Sequence, residues 1–246
     1  MNLLVTAGNT SVPIDRVRCI TNIFTGRTGA AIALEAFRRG HSVTLLTSHP
    51  DAVAALAGNN LPTDPLRWTC AVYRTFDDLH EAMISCIPGD RLDAVVHSAA
   101  VSDYRAAGIF APAPGTRLGP DSHWHGAPPS LVDRAADKVK SDAPELWLRL
   151  LRTPKLVDRI RIDWAFRGVL VKFKLEVGIT DAELISVAER SRLQSGADWM
   201  VANTLEGAAE WAYLGSPAGY ERVARAQLAS RLIDAVEKQH REKGHG

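Results

Sequence analysis

The sequence predicts an α/β protein with a Rossmann-like three-layer fold, in which a mostly parallel sheet lies between helices and a flap protrudes. Short runs of β-branched and leucine residues alternate with helical segments along most of the chain. The first strand, helix and strand are complete by Thr47, and they form a βαβ unit with a right-handed crossover. With 246 residues and 46% hydrophobic content, the chain can fill a substantial core without disulfides or metals.

The predicted elements follow from apolar periodicity and from the turn residues at their ends. Gly8 ends the first strand, Gly40 ends the first helix, and Asp77 is the predicted N-cap of the second helix. The predicted strands cover residues 2–7, 42–47, 67–75, 93–97, 145–151, 169–175 and 199–202. The predicted helices cover residues 25–39, 77–86, 154–161, 181–194 and 220–238.

One segment lacks this periodicity. Residues 106–136 are rich in glycine and proline, and they include the run 111–115 and the pair Pro128-Pro129. Such a composition is typical of a mobile connection and is not expected in a core. We therefore predict a flap or arm over about 106–140, within a single domain that covers 1–246.

Composition excludes several classes of function. The formal charge is +1, from 29 basic and 28 acidic residues, so no global field recruits nucleic acid or an anionic membrane. The chain has no secretory signal and no apolar run of about 18 residues to span a bilayer. The cysteines, Cys19, Cys70 and Cys86, form no CxxC pair, and we expect buried thiols in a reducing cytoplasm.

Three separate stretches are expected at one edge of the predicted sheet, because the carboxyl ends of parallel strands meet there. They are residues 7–10, residues 98–105 and Asn203. Gly26 stands at the start of the first helix, where free backbone amides and the helix dipole suit a phosphate. The second strand carries no acid at its tip to hold a nicotinamide ribose, which argues against a dinucleotide site.

Several stretches resemble, in order, the signatures of phosphopantothenoylcysteine synthetases. Ala-Gly-Asn-Thr at 7–10 and Ile-Thr-Asn at 20–22 are similar to the first signature, which runs on to Gly26. Ala-Ala-Val-Ser-Asp-Tyr-Arg at 99–105 resembles the second signature, and Asp-Trp-Met-Val-Ala-Asn at 198–203 resembles the third. Lys-Val-Lys at 138–140, Thr-Pro-Lys at 153–155 and Val-Lys-Phe-Lys-Leu-Glu at 171–176 complete a resemblance that covers nearly the whole chain.

The resemblance implies a ligase that joins 4'-phosphopantothenate to cysteine through an acyl-nucleotide, in coenzyme A biosynthesis. It implies that Asn22 stabilises the acyl-nucleotide or its tetrahedral collapse, that Arg18 orients the acyl-nucleotide and that Lys138 neutralises phosphate charge when the flap closes. The positions that it assigns to nucleotide binding are Gly8, Thr10, Gly26, Ala99, Ala100, Asp103, Thr153, Pro154, Phe173 and Asn203.

The same resemblance implies the cosubstrates and the assembly. Mg²⁺ with CTP or ATP is expected, and the bacterial character of the chain favours CTP. No flavin-binding decarboxylase domain precedes the first strand, so no FMN is expected. Members of the family generally pair as homodimers, and either the flap or an adjacent edge strand is a suitable contact.

Some positions depart from the family pattern. Asn9 stands where a second glycine is common, Ser191 and Ser195 stand where lysines are common, and Thr204 replaces an aspartate. These departures leave open a non-catalytic nucleotide-binding paralogue, and the fold class leaves open an NAD(P)-dependent reductase. No protein-held metal site is predicted: the pair His123 and His125 is interpreted as exposed polar residues, and His97 as a satisfied residue near the core.

Overall fold

The computed structural model describes residues 1–89, 91–126 and 130–244. The chain divides into two compact units. The first unit comprises Met1–Thr10, Ile23–Val101 and Lys155–Gly246. The second unit comprises Ser11–Asn22 and Ser102–Pro154, and it contains the predicted flap. Pro128-Pro129 of that prediction lies outside the described residues.

Strands and helices are numbered along the chain. The strands are β1 (Asn2–Ala7), β2 (Ser11–Pro13), β3 (Cys19–Thr21), β4 (Ser42–Thr47), β5 (Trp68–Val72), β6 (Ala94–His97), β7 (Tyr104–Pro112), β8 (Thr116–Leu118), β9 (Trp124–Gly126), β10 (Leu131–Asp133), β11 (Trp147–Arg152), β12 (Val169–Glu176), β13 (Trp199–Thr204), β14 (Trp211–Ser216) and β15 (Gly219–Ala224). The helices are α1 (Arg27–Arg38), α2 (Asp51–Ala57), α3 (Phe76–Cys86), α4 (Leu156–Ile162), α5 (Asp181–Gln194) and α6 (Leu228–Lys243).

The first unit is built on an eight-stranded sheet in the order β15-β14-β13-β12-β6-β1-β4-β5. The six strands from β13 to β5 are parallel, and β14 and β15 extend the sheet in antiparallel fashion. The parallel strands have the order of a Rossmann fold, so the prediction of a Rossmann-like, mostly parallel sheet is confirmed. The chain reverses its direction of progress between β1 and β6, and this switch point is where such folds bind ligands.

Alternating side chains of the central strands fill two cores, one on each face of the sheet. Leu3 and Val5 of β1 pack with Ile32 of α1 and Ile233 of α6. Leu4 packs on the other face, in the cluster that includes residues of α3 and α4. Strands buried on both faces read as continuous apolar runs, which is why the sequence predicts them well.

The second unit holds short antiparallel sheets. β10, β7 and β11 form a three-stranded sheet, β2 pairs with β3, and β8 pairs with β9. The prediction that 106–136 lacks regular structure is therefore wrong. Ile109 and Ala111 of β7 are buried, and β7 pairs with β11 from Tyr104 to Phe110, so pairing overrides the low strand propensity of its glycine and alanines.

The carboxyl-terminal region also differs from the prediction. The predicted helix over 220–238 begins at Leu228, because residues 219–224 form β15, which pairs with β14. The helix α2 is absent from the predicted elements, and the N-cap of α3 is Thr75, whose side chain forms a capping box with Asp78 in place of the predicted Asp77 cap.

The prediction of buried thiols is also wrong, since Cys19 and Cys70 are exposed and Cys86 is half-buried. All three are free thiols. Among the described residues, no helix has the length and apolar character that crossing a bilayer requires.

Candidate active site

A cavity of about 330 Å³ opens at the switch point of the large sheet. The residues that follow β1 and β6, the ends of β12 and β13, and the first turn of α1 line it. All of these residues belong to the first unit. The volume lies in the range of small-molecule sites, so the fold positions a ligand cavity where the sheet topology predicts one.

Glycines allow α1 to begin directly against the end of β1. Gly26 has φ 73°, and a Cβ built on it would lie 2.4 Å from the Gly8 nitrogen. A Cβ on Gly29 would lie 2.6 Å from the Ala7 Cβ. Gly26 makes no side-chain cap to the first turn of α1, whose backbone amides lie at the positive end of the helix dipole. This arrangement suits a phosphate.

Hydrogen bonds join the two loops that follow β1 and β6. The Ala100 amide donates to the Gly8 carbonyl at 2.8 Å, and the Thr10 amide donates to the Ala100 carbonyl at 3.2 Å. The Ala99 amide donates to the Thr6 hydroxyl at 3.2 Å. Small residues at 99 and 100 thus pair through their backbone and leave room at the cavity wall.

Asn9, which replaces a glycine of the family pattern, is buried and serves as a brace. Its backbone amide donates to the Ser48 hydroxyl at 2.9 Å, and its side-chain Nδ2 donates to the Phe24 carbonyl at 2.9 Å. Phe24 lines the cavity just before α1. The departure at Asn9 therefore leaves the φ of 87° at Gly8 in place and fixes the segment that leads into the helix.

The structure brings six of the predicted nucleotide-binding positions to this cavity: Gly8, Gly26, Ala99, Ala100, Phe173 and Asn203. Thr10 is fully buried behind them and is absent from the lining. Asp103, Thr153 and Pro154 belong to the second unit. The Thr153 amide donates to the Asp103 carbonyl at 2.9 Å, so these three positions lie together there.

The three predicted catalytic residues, Asn22, Arg18 and Lys138, belong to the second unit. Asn22 is half-buried and directly follows β3, whereas Lys138 is exposed. The structure brings Arg18 and the Lys138 segment together, because the Arg18 guanidinium donates to the carbonyl of Val139 at 2.6 Å.

Asp15 organises this group. Its carboxylate accepts from Arg18 Nη2 at 2.7 Å and from the Val139 amide at 3.0 Å, and its side chain has no exposed surface. The Arg18 guanidinium, followed by the Val17 amide, holds the pKa of the Asp15 carboxyl well below its usual range. Asp15 is thus a permanent anion that sets the orientation of Arg18.

The cavity also contains cations that the sequence interpretation missed. Arg27, Lys174 and Arg225 line it, and Lys174 pairs with Glu176 at 2.9 Å. Arg27 directly follows the first signature, and its position at the start of a predicted helix could have identified it. Arg225 offered no signal, because it follows β15, a strand that the sequence interpretation assigned to a helix.

Ser191 and Ser195, which differ from the family pattern, both accept hydrogen bonds from a lysine of β12. Lys172 of β12 is 7% exposed, and its amine donates to the Ser191 carbonyl at 3.0 Å and to the Ser195 hydroxyl. Asp158 lies 3.6 Å from that amine. Thr204, which replaces an aspartate, is buried and accepts the Gly207 amide at 3.2 Å. These positions therefore hold structural hydrogen bonds.

The histidines fall into two classes. His97 is 6% exposed, its Nδ1 lies 3.0 Å from the Thr6 hydroxyl, and burial followed by the Lys172 charge lowers its pKa to about 4. The interpretation of His97 as a satisfied residue near the core is confirmed. His123 and His125 are exposed and contact Asp121. Within the described part of the chain, no cluster of three metal-ligating side chains occurs.

The chain is similar to known proteins over most of its length. Residues 1–111 match the family model described as the DNA/pantothenate metabolism flavoprotein C-terminal domain. The coenzyme A biosynthesis bifunctional protein CoaBC of Thermococcus kodakarensis is 34% identical over 242 residues, which are 96% of this chain and 51% of that protein. The CoaBC of Escherichia coli K12 is 26% identical over 206 residues, which are 82% of this chain and 41% of that protein.

Solved structures share the fold. The DNA/pantothenate metabolism flavoprotein from Streptococcus pneumoniae is similar, with a TM-score of 0.75 at 24% identity over 97% of this chain and 99% of that one. A Cab2 mutant in complex with phosphopantothenate-cysteine has a TM-score of 0.71 at 18% identity, over 99% of this chain and 87% of that one. At these identities the likeness shows the fold alone.

The chain spans about half the length of the curated relatives that it matches, 51% of the Thermococcus protein and 41% of the Escherichia protein. Within that span the similarity extends over nearly all of the present sequence, and it includes the loops that line the cavity. Residues 1–111 match the model of the DNA/pantothenate metabolism flavoprotein C-terminal domain, and nearly the whole chain is similar to half of the Thermococcus protein, in agreement with the resemblance to phosphopantothenoylcysteine synthetases.

Proposed function

We propose that this protein joins 4'-phosphopantothenate to cysteine through an acyl-nucleotide, a step of coenzyme A biosynthesis. The observation that carries the proposal is the cavity at the switch point, where the uncapped start of α1 faces the loops of Gly8 and Ala100. The relative with 34% identity is named for coenzyme A biosynthesis, and a protein of the same fold is named as a complex with phosphopantothenate-cysteine. Both names support the proposal.

The reaction requires two displacements. A carboxylate oxygen of 4'-phosphopantothenate forms a bond to the α-phosphorus of the nucleotide, and the bond to pyrophosphate breaks. The nitrogen of cysteine then forms a bond to the acyl carbon, the nucleoside monophosphate leaves with that carboxylate oxygen, and the amine loses a proton. The protein has to hold a polyphosphate and stabilise negative charge on oxygen in both steps.

In our proposal, backbone groups mainly bind the nucleotide, and side chains bind its base and the acyl-nucleotide. The amides at the start of α1 and the small residues Ala99 and Ala100 bind the nucleotide, and Phe173 packs against its base. Asn22 donates hydrogen bonds to the acyl-nucleotide, because its amide carries two N–H groups and does not titrate. Arg18 orients that intermediate with a guanidinium that Asp15 holds in place.

Further nucleotide contacts come from the second unit in this proposal. Lys138 neutralises phosphate charge, and its exposure leaves its amine available to do so. Asp103 lies near the nucleotide, and Thr153 and Pro154 shape the edge of its base. Thr10 stands behind the cavity lining and acts through the Ala100 carbonyl that it binds.

Mg²⁺ accompanies the triphosphate in this proposal. The described lining of the cavity contains no carboxylate, so the residues present do not form a metal site by themselves. Magnesium in nucleotide sites keeps much of its coordination to phosphates and water, which is compatible with such a lining. CTP and ATP both remain candidates, and we propose that the enzyme needs no FMN.

We further propose a cytoplasmic homodimer. The three free thiols suit a reducing compartment. Edge strands such as β5 and β15 offer unpaired backbone groups for association. Sedimentation equilibrium of the purified chain measures the assembly, and a monomer across the micromolar range would contradict it.

A product assay tests the proposed function. Purified protein, Mg²⁺, 4'-phosphopantothenate and cysteine are mixed with CTP or with ATP, and pyrophosphate and the cysteine adduct are followed. We expect equal amounts of both products with at least one nucleotide. Triphosphate binding without any adduct would favour the non-catalytic paralogue, and tight NADH binding would favour the reductase.

A further inference from the structure

Arg225 occupies an unusual position in the cavity. It follows β15 and begins a short 3₁₀ turn, Arg225–Gln227, and its backbone amide donates to the Glu210 carbonyl at 2.7 Å. Its guanidinium reaches the start of α1 and donates to the hydroxyl of Thr28. The β14–β15 hairpin thus delivers a cation to the end of the helix where the dipole is positive.

Other arginines with largely buried side chains have a carboxylate as a counter-charge. Arg39, Arg161 and Arg192 have side chains 23%, 19% and 7% exposed, and each lies within 2.5–2.7 Å of a carboxylate. Among the described residues, no carboxylate lies within ion-pairing distance of Arg225. Burial lowers the pKa of its guanidinium, although a guanidinium stays charged at neutral pH.

A half-buried cation without a counter-charge is costly, and its placement beside a positive helix end adds to that cost. A bound anion removes both penalties. Arg27 lines the same cavity and adds a further positive charge. The cavity therefore favours a ligand with several negative charges over a neutral one of the same shape.

We infer that Arg225 is a binding residue for the phosphate chain of the nucleotide, anchored on Thr28 at the start of α1. The inference rests on the proposed function, because it takes a nucleoside triphosphate as the occupant of the cavity. It adds a fixed cation from the first unit to the predicted phosphate contact of Lys138, which belongs to the second unit.

Calorimetric titration of the full chain separates phosphate binding from base binding. Wild-type protein and Arg225→Gln are titrated with CTP, CMP and cytidine, and with ATP, AMP and adenosine, in the presence of Mg²⁺. We expect Arg225→Gln to weaken triphosphate binding by about 10- to 100-fold, monophosphate binding less, and nucleoside binding within twofold. Arg222→Gln is the matched control, because Arg222 lies on β15 three residues before Arg225 and is exposed, with its guanidinium 4.4 Å from the centre of the Trp211 ring.

Two more variants keep the test decisive. Arg225→Lys retains a charge and should recover part of the affinity, and Thr28→Val should lose several-fold by releasing the guanidinium. Thermal melting of each unliganded variant shows whether it folds. If Arg225→Gln does not fold, Arg225→Lys and Thr28→Val still test the inference. Triphosphate affinity within twofold of wild type in the folded variants overturns the inference, as does an equal loss for the nucleoside. Wild-type binding of triphosphate without ligation would instead overturn the proposed function and leave Arg225 in place.

Discussion

The two units carry different kinds of candidate residues. In the first unit the candidate nucleotide contacts are mostly small residues such as Gly8, Gly26 and Ala100, which act through backbone geometry between buried strands and a helix. In the second unit the candidates for chemistry are Asn22 and Arg18, side chains on a short hairpin held by hydrogen bonds. Substitutions in the first unit should therefore affect folding and binding together, whereas those in the second should affect rate.

The largest expected effect comes from Asn22→Ala. Loss of its two N–H donors should lower the ligation rate by about 100- to 1000-fold, which is the usual effect of losing an oxyanion donor. Nucleotide affinity and melting temperature should stay within the error of wild type. Steady-state kinetics and calorimetry on the same preparation measure this, with Asn60→Ala, an exposed asparagine, as control. A wild-type rate would remove Asn22 from the chemistry.

Gly26→Ala should combine a folding defect with loss of binding. Its φ of 73° and the 2.4 Å approach of the new Cβ to the Gly8 nitrogen should together cost about 3 kcal/mol of unfolding free energy. Gly40 is the matched control, with φ 90° and no atom within 4 Å of a new Cβ. Gly40→Ala should cost only about 1 to 2 kcal/mol and leave nucleotide binding intact. Equal losses in urea denaturation would mean that the close approach has no importance.

His97 should make the first unit sensitive to acid. Its pKa falls from 6.5 to about 4 on folding, so between these values the unfolded chain binds more protons and stability declines as pH falls. The positive charge of Lys172 acts on His97, and Asp158 lies 3.6 Å from the Lys172 amine. From pH 7 to pH 5 the loss should be about 2 kcal/mol.

Urea denaturation of wild type and of His97→Gln at the two pH values measures the loss of unfolding free energy that His97 causes. The glutamine variant should lose about 2 kcal/mol less than wild type between pH 7 and pH 5. His123→Gln is the control, because the His123 ring is 80% exposed. The same slope in wild type and His97→Gln would assign the acid sensitivity to other groups.

Lys138→Ala should have the smallest effect on rate. A solvated amine that contacts phosphate contributes modestly, so we expect a loss on the order of 10-fold in acyl-nucleotide formation. Rapid-quench measurement of pyrophosphate in the absence of cysteine isolates that step. Lys140→Ala, two residues away in the same segment, should be close to wild type. A defect confined to the cysteine step would contradict the role of Lys138.

The sequence predicted the large sheet better than the small ones, for a physical reason. The central parallel strands, such as Asn2–Ala7 and Ala94–His97, are buried on both faces, so each appears as an apolar run. β7 and β15 are partly exposed, and their pairing depends on partners distant in sequence or on a turn. Local propensity cannot reveal such pairing, which is why 106–136 and 220–227 were assigned incorrectly.

The candidate site likewise has residues that local sequence could identify and residues that depend on distant strand pairing. Small residues such as Gly26 and Ala99 could be identified because they stand in ordered signatures beside predicted strands. Arg225 could not, because only the β14–β15 hairpin brings it 197 residues back along the chain to Thr28. The hydrogen bond from the Asn9 side chain to the Phe24 carbonyl could not be predicted either, because the sequence shows only that an asparagine replaces a glycine of the family pattern.

In the proposed reaction, this protein activates a carboxylate by its attack on the α-phosphorus of the nucleotide. The most direct measurement uses 4'-phosphopantothenate labelled with ¹⁸O in its carboxylate, with cysteine and the preferred triphosphate, followed by mass spectrometry of the products. We expect one ¹⁸O atom in the nucleoside monophosphate and none in pyrophosphate. Adduct formed with ¹⁸O in a diphosphate or orthophosphate product, or with none transferred to the monophosphate, would contradict it.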